Sequence, residues 1–213
     1  MKILYQGSPG AYSHLAALEI YPDAEIVACK TFDECFDRAK KDDQVRIIIP
    51  ESNRITGNIG VEYLIFKFRL NIYEEHFLKI EHNLLGLPGS KVSDIKNIYS
   101  HAQALSQCSE FIKKYKLIEN IHADTAGSAE WISKNKKKDQ AAIASKLSAE
   151  IYKLDILEKG IENEKGNATR FLIMGNSVSQ PEMEKDKYIT SFLFKLKSKP
   201  AALYQALGGF AIN

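Results

Sequence analysis

Cysteine is scarce. Cys29, Cys35 and Cys108 are the only three in 213 residues. An odd count with no C-x-x-C spacing excludes a disulfide framework and points to reduced thiols. The five histidines show no H-E-x-x-H or similar spacing, so the expectation is chemistry with no metal and no organic cofactor. There is no run of about 18 apolar residues to form a transmembrane helix. The opening Lys2-Ile3-Leu4-Tyr5 is too short for the apolar core of an export signal, and a cytoplasmic chain is expected. Excess charge of one sign is lacking too. Lys plus Arg number 29 and Asp plus Glu 27, a formal charge of +2. That balance gives no electrostatic footprint for nucleic acid or a membrane surface. The lysine-rich run from Lys134 to Lys138 reads as a solvated helix end. No internal repeat or low-complexity segment stands out.

What is present is a recurring order of apolar strand, polar turn and helix. Lys2-Ile3-Leu4-Tyr5-Gln6 leads through Gly7-Ser8-Pro9-Gly10 to a helix, with Ser8 as N-cap and Pro9 at its first position. Arg46-Ile47-Ile48-Ile49 leads to Pro50-Glu51-Ser52-Asn53 and, after Gly57, to a helix. Val61, Leu64, Ile65 and Phe68 follow the i, i+3, i+4, i+7 pattern of one buried face there. Asn97-Ile98-Tyr99 precedes Ser100-His101-Ala102-Gln103, where Ser100 and Gln103 have the capping-box spacing. Ile121-His122-Ala123 precedes Asp124-Thr125-Ala126-Gly127 and a helix through Trp131, read as a core residue. Gln140 to Ala144 meets Ser145 and a helix carrying Leu147, Ile151 and Leu154. Strands alternating with helices imply α/β layers with largely parallel pairing. Ligands bind such sheets beyond the carboxyl ends of the strands.

The polar loops at those ends hold the candidate site. Asn167-Ala168-Thr169-Arg170-Phe171 runs into the buried strand Phe171-Leu172-Ile173-Met174. It sets an amide, a hydroxyl and a guanidinium side by side. Thr169 can donate one proton, and Arg170 can fork onto a carboxylate. The alternative is that both residues simply open a strand. Helix N-termini attract anions, so Thr125 and Ala126 are candidates for a carboxylate; Asp124 or Thr125 can equally serve as a plain cap. Gln103 and Gln107 share one helix face, and Gln107 is left facing either a cleft or solvent. Leu105, Cys108 and Ile112 share the buried face. Cys108 reads as a packed small hydrophobe, and His82 as structural. The chain should cross between two lobes near residues 74–80 and return near 160, which would bring Thr169 back beside Asn53.

In order, these segments resemble the prephenate dehydratases over roughly residues 1 to 175. Gln6-Gly7-Ser8-Pro9-Gly10-Ala11-Tyr12-Ser13 is similar to the family's opening motif. Pro50-Glu51-Ser52-Asn53 with Gly57 stands where the family has Pro-Ile-Glu-Asn-Ser-x-x-Gly. His82-Asn83-Leu84-Leu85 resembles its His-x-Leu segment. Ser100 to Cys108 resembles Ser-His-Pro-Gln-Ala-Leu-x-Gln-Cys. Asp124-Thr125-Ala126 and Asn167 to Phe171 complete the set. The resemblance implies a two-lobed, periplasmic-binding-protein-like α/β catalytic domain over 1–180. Its first lobe would cover about 1–76 and 162–180 and its second about 77–161. It implies decarboxylating dehydration of prephenate to phenylpyruvate in phenylalanine biosynthesis, with no metal or cofactor. By resemblance Thr169 is the proton donor to the departing hydroxyl. Asn53, Ser100 and Gln107 position the substrate. Arg170 and the Thr125-Ala126 backbone are assigned to its two carboxylates.

Some residues depart from the pattern. The acid Glu51 comes one place early. Arg54 replaces a serine and would either bind a carboxylate or point outward. Ala102 replaces a proline. After residue 187, Phe192, Phe194 and Leu196 alternate as in a strand, and Leu203, Leu207 and Phe210 share a helix face. This resembles the start of a ferredoxin-like ACT domain, incomplete over 187–213, so phenylalanine is expected as an effector only where that domain is complete. A homo-oligomer is left open. Two rivals remain: arogenate dehydratase, whose substrate carries an amino group in place of the side-chain keto oxygen, and a non-catalytic two-lobed anion sensor.

Overall fold

Apolar strand segments and amphipathic helices build two sheets in the computed structural model, which describes residues 1–178 and 194–212. The chain divides into two units, Met1–Ser179 and Gln180–Asn213.

The larger unit begins with β1 (Lys2–Gln6), α1 (Tyr12–Ile20), β2 (Glu25–Cys29), α2 (Phe32–Lys41) and β3 (Val45–Asn53). β4 (Gly57–Asn58), α3 (Glu62–Phe68) and β5 (Asn71–Lys79) follow. With β11 (Ala168–Gly175), these strands form a sheet of order β2-β1-β3-β11-β5, with β4 paired to β3. Val61 and Leu64 are buried, and Ile65 and Phe68 pack partly against the same core as Phe36 and Ile47. The helix face read from the sequence is therefore the face that packs.

The second sheet takes β6 (Asn83–Gly86), β7 (Asn97–Ser100), β8 (Ile118–Ile121), β9 (Gln140–Ala144) and β10 (Asp155–Glu158) in the order β10-β6-β9-β7-β8. Its helices are α4 (Ala102–Gln107), α5 (Ser109–Tyr115), α6 (Thr125–Asn135) and α7 (Lys146–Tyr152). Leu105, Cys108 and Ile112 lie in its core. Trp131 is half-buried at the edge of a neighbouring cluster, with its ring 4.3 Å from that of Tyr99.

The two-lobed α/β architecture is thus present, but its pairing is mixed. β1 runs parallel to β2 and β3, and β7 to β8 and β9. β11 is antiparallel to both neighbours, as is β6. A helical crossover enforces parallel pairing. β6 and β11 are entered by a chain crossing between sheets, so that constraint does not apply to them. β5 stays in the first sheet through Lys79, so the outward crossing lies at 80–82. There Ile80 N–H donates to the Asn167 carbonyl and Ile161 N–H to that of His82, each at 2.9 Å.

Two expected caps are replaced. Gly10 has φ +92°, which ends any helix begun at Pro9, and α1 starts after Ala11. A Cβ on Gly10 would lie 2.6 Å from Ser148 Oγ. The bare backbone instead brings the Gly10 carbonyl to the hydroxyls of Ser145 (2.6 Å) and Ser148 (3.0 Å), joining the lobes. At α4 the cap is His101, whose Nδ1 accepts the Gln103 N–H at 3.3 Å. Ser145 and Asp124 cap α7 and α6 as their sequences suggest.

In the smaller unit, α8 (Ala202–Ile212) is the expected helix. Residues 194–197 carry no strand, in keeping with a strand's need for a partner edge. Phe192 of that expected strand lies outside the described residues.

Candidate active site

β3 ends and β11 begins side by side, with Thr169 opposite Asn53. Side chains alternate along a strand. Thr169 and Phe171 therefore share the face that lines a cleft of about 420 Å³ between the two sheets. Asn53 Oδ1 accepts the backbone N–H groups of Ile55 (3.0 Å) and Thr56 (3.1 Å). That fixes the orientation of its amide. Its Nδ2 then donates to Thr169 Oγ1 at 2.9 Å. Because Thr169 accepts from Asn53, its own proton is left to donate into the cleft. The bond also polarises the hydroxyl toward donation.

The same alternation carries Arg170 to the opposite face of the sheet. Its Nε lies 2.7 Å from Glu75 Oε2 and its Nη1 3.3 Å from Glu51 Oε2. The expected substrate contact for Arg170 is corrected accordingly. Glu51 sits at the register shift between Arg170 and Phe171. This gives the early acid a role as the arginine's partner. Ser100 is also displaced: it is fully buried, and its hydroxyl donates to the Ile143 carbonyl at 2.7 Å. Ser100 ends β7, so its side chain joins β9 and does not reach the cleft wall. Arg54 is exposed and donates to the Gly166 carbonyl at 3.2 Å, so it points outward.

Gln107 faces the cleft. Its Oε1 lies 2.7 Å from His82 Nε2, which must therefore carry the ring proton. His82 Nδ1 is then an acceptor, and Tyr12 Oη lies 2.9 Å both from it and from the Glu81 carbonyl, so two acceptors face the single phenolic proton. The Gln107 amide N–H₂ is left facing the cleft as a donor. Burial pulls the His82 pKa below its ordinary value and pushes Tyr12 well above its own. Both directions favour the uncharged forms of the two rings. Burial pushes the Glu162 carboxyl up, but N–H donors from its own backbone and His82, with Lys165, outweigh this and hold it low. Its Oε2 accepts the His82 backbone N–H at 3.0 Å and so holds the chain at His82. Burial raises the Cys108 thiol to about 12, which suits packing and not nucleophilic attack.

Thr125 and Asp124 line the far wall at the start of α6. Ala126 is buried behind them and offers only its backbone N–H. Asn167 lines the cleft too, and its Oδ1 is buried without a hydrogen-bond partner. Such an orphan costs about 1–3 kcal/mol. Among the described residues no group of three His, Cys, Asp or Glu side chains could hold a metal ion.

Thr169, Asn53, Gln107 and Thr125 are therefore brought together from both lobes. Asn167 joins them as the amide of its motif, and Tyr12, His82 and Asp124 join without a site role legible in the sequence. Each lies inside a segment recognised as a motif. What singles them out is the long-range contact.

The prephenate dehydratase family model matches residues 3–179. The chain is 38% identical over its whole length to arogenate dehydratase/prephenate dehydratase 1, chloroplastic, of Arabidopsis thaliana, covering 54% of that protein. It spans about half the length of the plant relatives it matches. It is 34% identical to a bifunctional N-acyl-homoserine lactone acylase/prephenate dehydratase of Komagataeibacter europaeus, over 98% of this chain and 75% of that one. Among solved structures, the prephenate dehydratase from Staphylococcus aureus superposes with a TM-score of 0.79 at 26% identity. The match covers 100% of this chain and 79% of that one.

Proposed function

Because this chain belongs to the prephenate dehydratase family, we propose that its cleft catalyses the decarboxylating dehydration of prephenate to phenylpyruvate, CO2 and water. The observation carrying the reading is the Asn53–Thr169 pair, which aims one hydroxyl proton into a cleft lined by polar side chains from both sheets. The bond to the ring carboxylate breaks and releases CO2. Its electron pair enters the ring as the C–O bond to the ring hydroxyl breaks, and the ring becomes aromatic. Hydroxide is a poor leaving group, so a positioned donor at the departing oxygen is worth about 10²–10⁴-fold. Thr169 hydrogen-bonds that oxygen, and the proton that completes water is restored from solvent. Gln107 and the free N–H groups that open α6 hold the carboxylates.

The assay is direct: purified protein is given prephenate, and phenylpyruvate is followed. Binding without turnover would favour an anion sensor. The same bond changes on arogenate, named for the plant relatives, would yield phenylalanine. Arg170→Ala is expected to lower the melting temperature, because it strands Glu51 and Glu75 on the sheet's outer face, and to leave KM for prephenate unchanged. A raised KM would return Arg170 to the substrate. The three buried free cysteines fit a reducing compartment. We assign residues 187–213 to the start of an ACT domain, to which α8 would supply the first helix. Phenylalanine control would need the rest of that domain.

A further inference from the structure

The charge of the cleft wall is unusual for a pocket assigned to a dianion. Among the described residues lining it there is neither Lys nor Arg, and its single carboxylate is Asp124. Prephenate bears two carboxylates and no cation. A lone carboxylate in its site repels it. Arogenate keeps both carboxylates but carries an ammonium on the side-chain carbon that bears one of them.

Asp124 is placed to read that difference. Its Oδ1 accepts the Gly127 N–H at 2.6 Å as the N-cap of α6. Its Oδ2 accepts the Ser8 hydroxyl at 3.2 Å from the other lobe. A carboxylate offers about four acceptor positions, so two remain open. Immediately beyond it, the Thr125 and Ala126 N–H groups open the helix, where no intrahelical acceptor exists. An acceptor carboxylate thus adjoins two N–H donors at the dipole's positive end. This arrangement is the complement of an ammonium and a carboxylate on one carbon. A keto oxygen in the ammonium's place would face Asp124 acceptor to acceptor.

We propose that Asp124 is a specificity-determining residue that holds the ammonium of arogenate and biases this cleft toward the amino acid over the keto acid. The proposal rests on the dehydratase reading and refines it. Specificity here is a difference between two affinities, one gained and one opposed.

Asp124→Asn isolates the charge, because asparagine caps a helix about as well as aspartate. Asp124→Ser, a second neutral cap, is measured in parallel in case the first variant is unstable. With arogenate and prephenate as alternative substrates, the wild-type protein should show the higher kcat/KM for arogenate. In the neutral variants the ratio of the two kcat/KM values should fall about 10- to 100-fold, the worth of a charged hydrogen bond. Most of the fall should come from KM for arogenate, while kcat/KM for prephenate rises. A wild-type preference for prephenate overturns the proposal. So does an unchanged ratio, or an equal loss on both substrates, which would mark Asp124 as structural. Turnover of neither substrate by the wild type would sink the dehydratase reading itself, and this proposal with it.

Discussion

Thr169→Val is expected to lower kcat about 10²- to 10⁴-fold while the fold and KM are largely kept. Valine matches threonine in shape and lacks only the hydroxyl. Thr169 stands at the start of a strand held on both sides, by β3 and by β5, so its loss should not disturb the sheet. The hydroxyl is a weak acid, and its effect is expected in stabilising the departing oxygen, with full proton transfer late. That places the loss in kcat and not in KM. Thr169→Ser, which keeps the hydroxyl, should recover much of the rate. Steady-state kinetics beside a circular-dichroism melt decide the matter. Near-normal kcat in a folded Thr169→Val protein would remove Thr169 from the chemistry.

Asn53→Asp should cost nearly as much, for a different reason. Aspartate keeps the acceptor oxygen that receives the Ile55 and Thr56 N–H groups, so the loop after β3 should stay in place. The second oxygen cannot donate to Thr169. It would accept the Thr169 proton instead, and the donor would turn away from the substrate. A fall in kcat of about 10²-fold is expected with little change in melting temperature. Asn53→Ala, by contrast, also removes the loop's acceptor, and should lose about 1–3 kcal/mol of stability. If Asn53→Asp keeps full activity, the 2.9 Å contact is not what orients the threonine.

The fold was largely legible because its strands and helix faces announce themselves locally. Val61, Leu64, Ile65 and Phe68 repeat at helical spacing, and that face is the one that packs. Parallel pairing was overread, since the two strands that follow lobe crossings carry no local sign of their direction. α2 carries a local start signal as well, since Thr31 caps it by accepting the Glu34 N–H at 3.1 Å. In the site, Thr169, Asn53, Gln107 and Thr125 were readable as polar residues at strand and helix ends. Arg170 pairs with Glu51 and Glu75 and not with the cleft, because adjacency in a motif is not adjacency in space. A strand's period of two sends neighbours to opposite faces. Ser100 fell to the same rule of local geometry: its motif is real, but its hydroxyl closes a sheet. Tyr12 and His82 were missed because their roles arise from a contact across 70 residues, and no local pattern encodes such a contact.

The lack of lysine and arginine along the cleft wall also bears on how substrate arrives and product leaves. An anion approaching this mouth meets no local cationic funnel. Its encounter rate should lack electrostatic enhancement and change little with ionic strength. The attraction begins only at contact, through oriented dipoles that bulk salt screens poorly. Turnover then removes one carboxylate as CO2 and a hydroxide as water. The product has one negative charge fewer than the substrate. A cleft with no lysine or arginine among its described lining residues thus forgoes long-range capture of its anionic substrate.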